Sequence, residues 1–163
     1  MYGVWPCRVS ACDASPFDRE RAEMKVVLAN GCFDILHVGH IETLKYARHV
    51  SCEEYYGHHP RFFITKVIVG LNSDESVRRL KGEGRPFNDQ NYRKMMLEAI
   101  RYVDEIIIFD EDTPYSLIKR LKPDVIVKGG DYHHSEVIGS DISRIKIAPH
   151  VEGYSTSKIL EKL

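Results

Sequence analysis

The stretch Val26-Val27-Leu28-Ala29-Asn30-Gly31-Cys32-Phe33-Asp34-Ile35-Leu36-His37-Val38-Gly39-His40 decides the fold. Its first four residues are apolar and suit a buried strand, and an amphipathic segment follows His40, so the stretch reads as strand, turn and helix start. Gly31 and Gly39 let backbone approach a ligand closely. A helix beginning near Val38 would direct its leading N–H groups at an anion, with His37 and His40 beside it.

Working outward, the same alternation continues. A first strand over about 25–30 leads to a helix over about 39–50, with Ile41, Leu44 and Ala47 on one face and Glu42, Lys45 and Arg48 turned away. The β-branched run 64–71 predicts a second buried strand. Asn72, Ser73, Asp74 and Glu75 supply a cap and first-turn acids for a short helix that stops near Gly82-Glu83-Gly84. A helix over about 89–102, with Tyr92, Met96, Ala99 and Val103 on one side, feeds a strand over 105–109. Thr113-Pro114 opens the next helix with proline at its first position. Strands follow at 124–128 and 145–148, and Ser155-Thr156 caps a terminal helix.

Strands alternating with helices predict a Rossmann-like, doubly wound parallel sheet in a single α/β domain. Residues 1–24 lack periodicity and read as an N-terminal extension, residues 25–163 form the domain, and 51–62 look like an irregular insertion. Ligands of such sheets bind outside the carboxyl ends of the strands, near the switch in strand order. Four segments fall at such ends or at helix starts: 30–40, 72–74, 128–132 and 153–156.

Composition narrows the function. Lysine and arginine total 23 against 24 acidic residues in a chain of 163, a formal charge of −1, so no basic field holds a nucleic acid backbone. No apolar run approaches the roughly 20 residues of a spanning helix, and residues 1–24 carry charge in place of a signal-peptide core, which predicts a cytoplasmic protein with no membrane partner. Cys7, Cys12, Cys32 and Cys52 read as free thiols in a reducing compartment. Cys7 and Cys12 have no second pair at matching spacing, and His58-His59 reads as a solvated loop, so no protein-held metal is expected.

Beyond these readings, the His-x-Gly-His spacing after a strand resembles the nucleotidyltransferase superfamily, whose members attack the α-phosphate of a nucleoside triphosphate. NGCFDILHVGH, NSDESVRRLKGEGRP, NYRKMMLEAIRYVDEI, EDTP, VKGGDY and YSTSKIL, spread over about 25–163, together resemble the adenylyltransferase domain of ADP-heptose synthases, and more broadly the family of glycerol-3-phosphate cytidylyltransferase. LKGEGRP and VKGGDY look like the heptose-phosphate branch. His150 and Val151 stand where the glycerol-phosphate branch carries an arginine, which argues against that acceptor.

The resemblance implies transfer of a nucleoside monophosphate from ATP to a sugar 1-phosphate, that of a heptose, or alternatively from CTP to glycerol 3-phosphate or a similar small alcohol phosphate, with pyrophosphate released. A phosphate monoester has its second pKa at about 6, so the nucleophile is already anionic and needs no general base. Catalysis then rests on positioning and charge stabilisation. By resemblance, His37 and His40 bind the triphosphate, His40 nearest the α-phosphate. Lys81 and Arg93 hold phosphates, Lys81 in a catalytic role, although a solvated face is the competing reading for both. Ser155 and Thr156 take the β- and γ-phosphates. Gly129, Gly130 and Asp131 lie against base or ribose, and Asn30, Gly31, Cys32, Phe33, Gly39 and Lys128 complete the nucleotide site. Asp34 sits near the acceptor sugar, and Tyr132 either stacks there or is a buried structural residue. Mg²⁺ is expected on the triphosphate with few protein ligands. A homodimer and a standalone transferase without an accompanying kinase domain are further expectations. A nucleotide-binding module without turnover is the alternative from a different class.

Overall fold

In a computed structural model, the residues described are 23–53, 63–130, 132–134 and 137–161. The expectations for the extension before residue 23, for His58-His59 in the insertion and for Asp131 lie outside them.

Ten elements follow in order: β1 (Glu23–Gly31), α1 (Val38–Glu53), β2 (Phe63–Asn72), α2 (Asp74–Lys81), α3 (Gln90–Glu98), β3 (Glu105–Phe109), α4 (Tyr115–Leu121), β4 (Val125–Lys128), β5 (Arg144–Ile147) and α5 (Thr156–Leu160). All strand pairs are parallel, in the order β3-β2-β1-β4-β5. The chain therefore builds one half outward from the central β1 through β2 to β3, then returns to β4 on the other side. This is the doubly wound, Rossmann-like arrangement expected, and its switch in strand order falls between β1 and β4.

Register places Leu28 between Ile68 and Ile126, so the period of two along each strand sends these residues to one face of the sheet. There they pack with Phe109, Leu117, Ile118 and Ile145, covered by α4. Val27 and Ala29 point the other way. Val27 joins Ala47, Val50, Val67, Val125 and Val127 beneath α1, while Ala29 joins Phe33, Leu44, Val69, Leu71 and Leu97. Each large side chain fully buried there contributes roughly 1.5–3 kcal/mol of transfer free energy. No helix among the described residues is long and apolar enough to cross a membrane.

Local chemistry fixes the ends of the elements. Ser73 Oγ accepts from Ser76 N at 3.1 Å and caps α2. Asp89 Oδ1 accepts from Asn91 N and Tyr92 N, starting α3. Pro114 is the residue before α4 rather than its first helical position, and Lys122 closes that helix in the left-handed region at φ 46°.

Two helical faces differ from expectation. Arg48 of α1 is not turned to solvent. It is buried, donating to the Thr65 and Tyr102 carbonyls and pairing with Asp104 at 2.7 Å, where it joins α1 to β2 and to the turn before β3. The α3 region buries Arg93 and Leu97 instead of Tyr92 and Met96, which are 51% and 42% exposed. That helix also ends at Glu98, with Ala99 to Val103 carried in turns.

Candidate functional site

A cavity of about 690 Å³ opens at the carboxyl ends of β1 and β4, where the strand order switches. The β1–α1 turn forms its floor. Phe33 adopts φ 47° in this turn, a left-handed conformation that costs a residue with a Cβ roughly 1–2 kcal/mol. Burial of its ring in the Ala29–Leu44 cluster offsets that cost.

The two histidines close the turn onto α1. His37 O accepts from His40 N at 2.9 Å, and His37 N donates to His40 Nδ1 at 3.4 Å. Their rings stack with centroids 3.8 Å apart, and Phe33 lies 5.0 Å from the His40 ring. Gly39 makes room for this, because a Cβ there would stand 3.0 Å from the His37 ring. Burial, reinforced by the neighbouring His37, pushes the His40 imidazole down to about 3. His40 is therefore neutral at pH 7. With Nδ1 accepting from the His37 amide, the ring proton resides on Nε2, which makes His40 a fixed hydrogen-bond donor without a charge.

One wall comes from β4 and the segments after it. Lys128 is buried at the end of β4, with Nζ 3.4 Å from Asn30 O and 4.8 Å from the Tyr132 ring centroid. Tyr132 is 45% exposed, so it covers the lysine and is not a buried structural residue. Gly130 has a packing reason: a Cβ would lie 2.5 Å from the His150 backbone, which runs directly against it. That contact brings residues 149–156 alongside the cavity. Thr156 Oγ1 then donates to Ile35 O at 3.4 Å and ties the start of α5 to the β1–α1 turn. The imidazole pair and the Ser155-Thr156 hydroxyls consequently line one cavity.

The facing wall carries Asn72, Lys81 and Arg85. Lys81 ends α2 and is exposed. Sequence reasoning does not single out Arg85, although it lies within the GEGRP run. Its Nε is 2.7 Å from Asp34 Oδ2, and the N–H is poorly aimed, so the contact is ionic more than a directed hydrogen bond. Cys32 sits on the floor as a free thiol, raised by burial against the lowering fields of Lys81, Arg93 and Arg85. The side chains of the other cysteines lie outside the described residues.

Two expectations need correction. Arg93 cannot hold a nucleotide phosphate: its side chain is 0% exposed, and four donors are spent on Asn88 O, Cys32 O, Asn72 O and Asp74 Oδ1 at 2.7–3.0 Å. It instead holds the ends of β1 and β2 in place beneath the cavity. Asp34 lines the cavity but has little left for an acceptor sugar. Its Oδ1 accepts from Phe87 N and Asn88 N, and its Oδ2 faces Arg85. The other site residues expected from sequence line the cavity wherever the structure describes them: Asn30, Gly31, Cys32, Phe33, His37, Gly39, His40, Lys81, Lys128, Gly129, Gly130, Tyr132, Ser155 and Thr156. Thr43, His150 and Tyr154 line it as well, none of them singled out as a ligand from the sequence.

Comparison with known proteins places this geometry. The profile of the cytidylyltransferase-like family matches residues 28–162. Bifunctional protein HldE of Campylobacter curvus is 50% identical over 145 residues, 88% of this chain and 28% of that protein. Its namesake in Wolinella succinogenes is 48% identical over 140 residues, 85% of this chain and 27% of the relative. The chain thus spans little more than a quarter of the length of these curated relatives. The crystal structure of the lipopolysaccharide core biosynthesis protein from Thermoplasma volcanium superposes with a TM-score of 0.61 at 26% identity, covering 78% of this chain and 98% of that one.

Proposed function

This chain belongs to the cytidylyltransferase-like family and is a nucleotidyltransferase, and from that premise we propose that it joins the nucleoside monophosphate of ATP to a sugar 1-phosphate, specifically a heptose 1-phosphate, and releases pyrophosphate. The observation that carries this reading is the convergence of His37, His40, Ser155 and Thr156 on one cavity at the strand switch. The relatives that share about half their residues with this chain carry the name HldE, which supports the heptose acceptor.

In the proposed reaction an acceptor phosphate oxygen attacks the α-phosphorus, and the bond to the bridging oxygen of pyrophosphate breaks in line. The nucleophile is a dianion above about pH 6, so no side chain must take its proton. What the protein supplies is placement and donors. His40 offers an uncharged Nε2–H that stays protonated at that nitrogen through the working pH range, and preorganised donors of this kind cost no reorganisation as charge develops. Lys128 and Lys81 bring positive charge from opposite walls. The hydroxyls at the start of α5 suit the leaving phosphates.

A divalent ion carried by the triphosphate is part of this proposal. Among the described residues no group of three or more His, Cys, Asp or Glu is arranged to hold a metal, and Asp34 is committed to Arg85 and two amides. Such an ion would supply charge neutralisation on the phosphates.

The test is pyrophosphate release with ATP or CTP against a panel of sugar and polyol phosphates. ATP with a heptose 1-phosphate should give the highest kcat/KM. Preference for CTP with glycerol 3-phosphate would replace this reading with polyol cytidylyl transfer. Tight nucleotide binding with no pyrophosphate from any acceptor would leave a binding module and overturn the enzyme.

A further inference from the structure

We propose that Asp34 and Arg85 form an anion clamp in which the buried carboxylate presents the guanidinium to the phosphate of the acceptor, making Arg85 a specificity-determining residue. The inference rests on the sugar-phosphate transfer proposed above.

Asp34 is a carboxylate with a 1% exposed side chain in a cavity suited to polyanions. An uncompensated negative charge there would oppose every ligand the site is built to take. The structure shows where the charge goes. Oδ1 accepts from the amides of Phe87 and Asn88 at 2.8 and 3.0 Å, Asn88 Nδ2 donates back to Asp34 O at 3.0 Å, and Oδ2 sits 2.7 Å from Arg85 Nε. Residues 85–88 are thereby clipped to the β1–α1 turn. Between α2 and this clip the chain passes Gly82 and Gly84, both at positive φ and both with open space within 4 Å of where a Cβ would stand.

Arg85 uses only Nε in this arrangement. No described residue accepts a hydrogen bond from its two terminal amino groups, and the side chain lines the cavity at 20% exposure. A guanidinium held at one edge, on a side chain that lines the cavity, suits bidentate recognition of a phosphate monoester.

Position separates the acceptor from the triphosphate. Arg85 comes from the segment after β2 and α2, whereas Lys128 and Gly130 come from the end of β4, on the other side of β1. In-line transfer requires the entering phosphate and the leaving pyrophosphate on opposite sides of the α-phosphorus. With Lys128 and Gly130 on the leaving side, Arg85 belongs to the entering side.

The experiment compares wild type, Arg85→Ala, Arg85→Lys and Asp34→Asn in pyrophosphate release, with ATP and heptose 1-phosphate varied separately. Calorimetric titration of each protein with heptose 1-phosphate alone, and circular dichroism melting, run in parallel. Loss of a charge-assisted bidentate contact should raise the acceptor KM about 10- to 100-fold in Arg85→Ala, with the ATP KM changed less than about 2-fold. Arg85→Lys should recover part of the loss, and Asp34→Asn should raise the acceptor KM in the same direction. An ATP KM that rises while the acceptor KM stays put would assign the fork to the triphosphate and overturn the proposal. So would equal acceptor binding by wild type and Arg85→Ala, or binding by neither. Wild type that binds the acceptor through Arg85 yet releases no pyrophosphate would sink the transfer reaction and keep the clamp.

Discussion

Protonation of His40 should be worth about 2 kcal/mol of folding free energy between pH 7 and pH 5. In the folded protein its imidazole is held down to about 3 by burial and by His37, whereas in the unfolded chain it takes the ordinary value of about 6.5. The folded state therefore keeps the neutral form. Below pH 6.5 the unfolded chain binds a proton that the folded chain refuses, so stability is complete above that pH and falls as the solution is acidified towards 3. At pH 5 the unfolded group is protonated by a factor of about 30, which is about 2 kcal/mol. The assay is urea unfolding at pH 7 and pH 5 for wild type and His40→Asn, whose amide oxygen can accept from the His37 N–H in place of Nδ1. With a slope of about 2 kcal/mol per molar urea, wild type should lose about 1 M more in its midpoint than the variant. Equal losses in the two proteins would refute the reasoning, as would an NMR titration placing the folded His40 near its ordinary value.

Other perturbations have equally definite outcomes. Arg93→Met should cost about 3 kcal/mol in urea unfolding, since it strands Asp74 and three backbone carbonyls, and Arg93→Lys should recover little because an ammonium cannot span those acceptors. Gly130→Ala should cost roughly 1–3 kcal/mol and raise the nucleotide KM, because its methyl would meet the His150 backbone at 2.5 Å and push residues 149–156 off the cavity. A Gly130→Ala protein of wild-type stability would contradict that contact. Thr156→Val should raise the ATP KM about 5-fold by removing one hydroxyl and its tie to Ile35 O, read from initial rates at saturating acceptor.

Much of the fold is legible in the chain because strands and turns have local causes. The β-branched and apolar runs place all five strands to within two residues of their ends, and Gly31, Gly39 and the histidines mark the turn that forms the cavity floor. The buried arginines are not legible. Arg93 and Leu97 stand at i and i+4, as do Tyr92 and Met96, so periodicity alone cannot choose between the two faces of α3. Apolarity favours the wrong pair. The choice is made by carbonyls at the ends of β1 and β2 that need a donor, and those come together only when the sheet is built. Arg48 escapes a reading of the sequence for the same reason: its acceptors at Thr65, Tyr102 and Asp104 are 17 to 56 residues away.

The two arginines near the cavity show why residue type and motif position do not assign a role. Each is held by an aspartate at 2.7 Å, Arg93 by Asp74 and Arg85 by Asp34. A guanidinium has five N–H donors, and desolvating it is tolerable only when most are satisfied. Arg93 meets that demand internally, with four donors engaged and no exposure, so a phosphate could reach it only by dismantling the ends of two strands. Arg85 has only the ionic contact of Nε with Asp34 and lines a cavity that other donors already make favourable to anions. Its remaining demand is therefore met by solvent in the open site and by a phosphate in the filled one, and displacing that solvent is the step from which selectivity for a doubly charged acceptor follows.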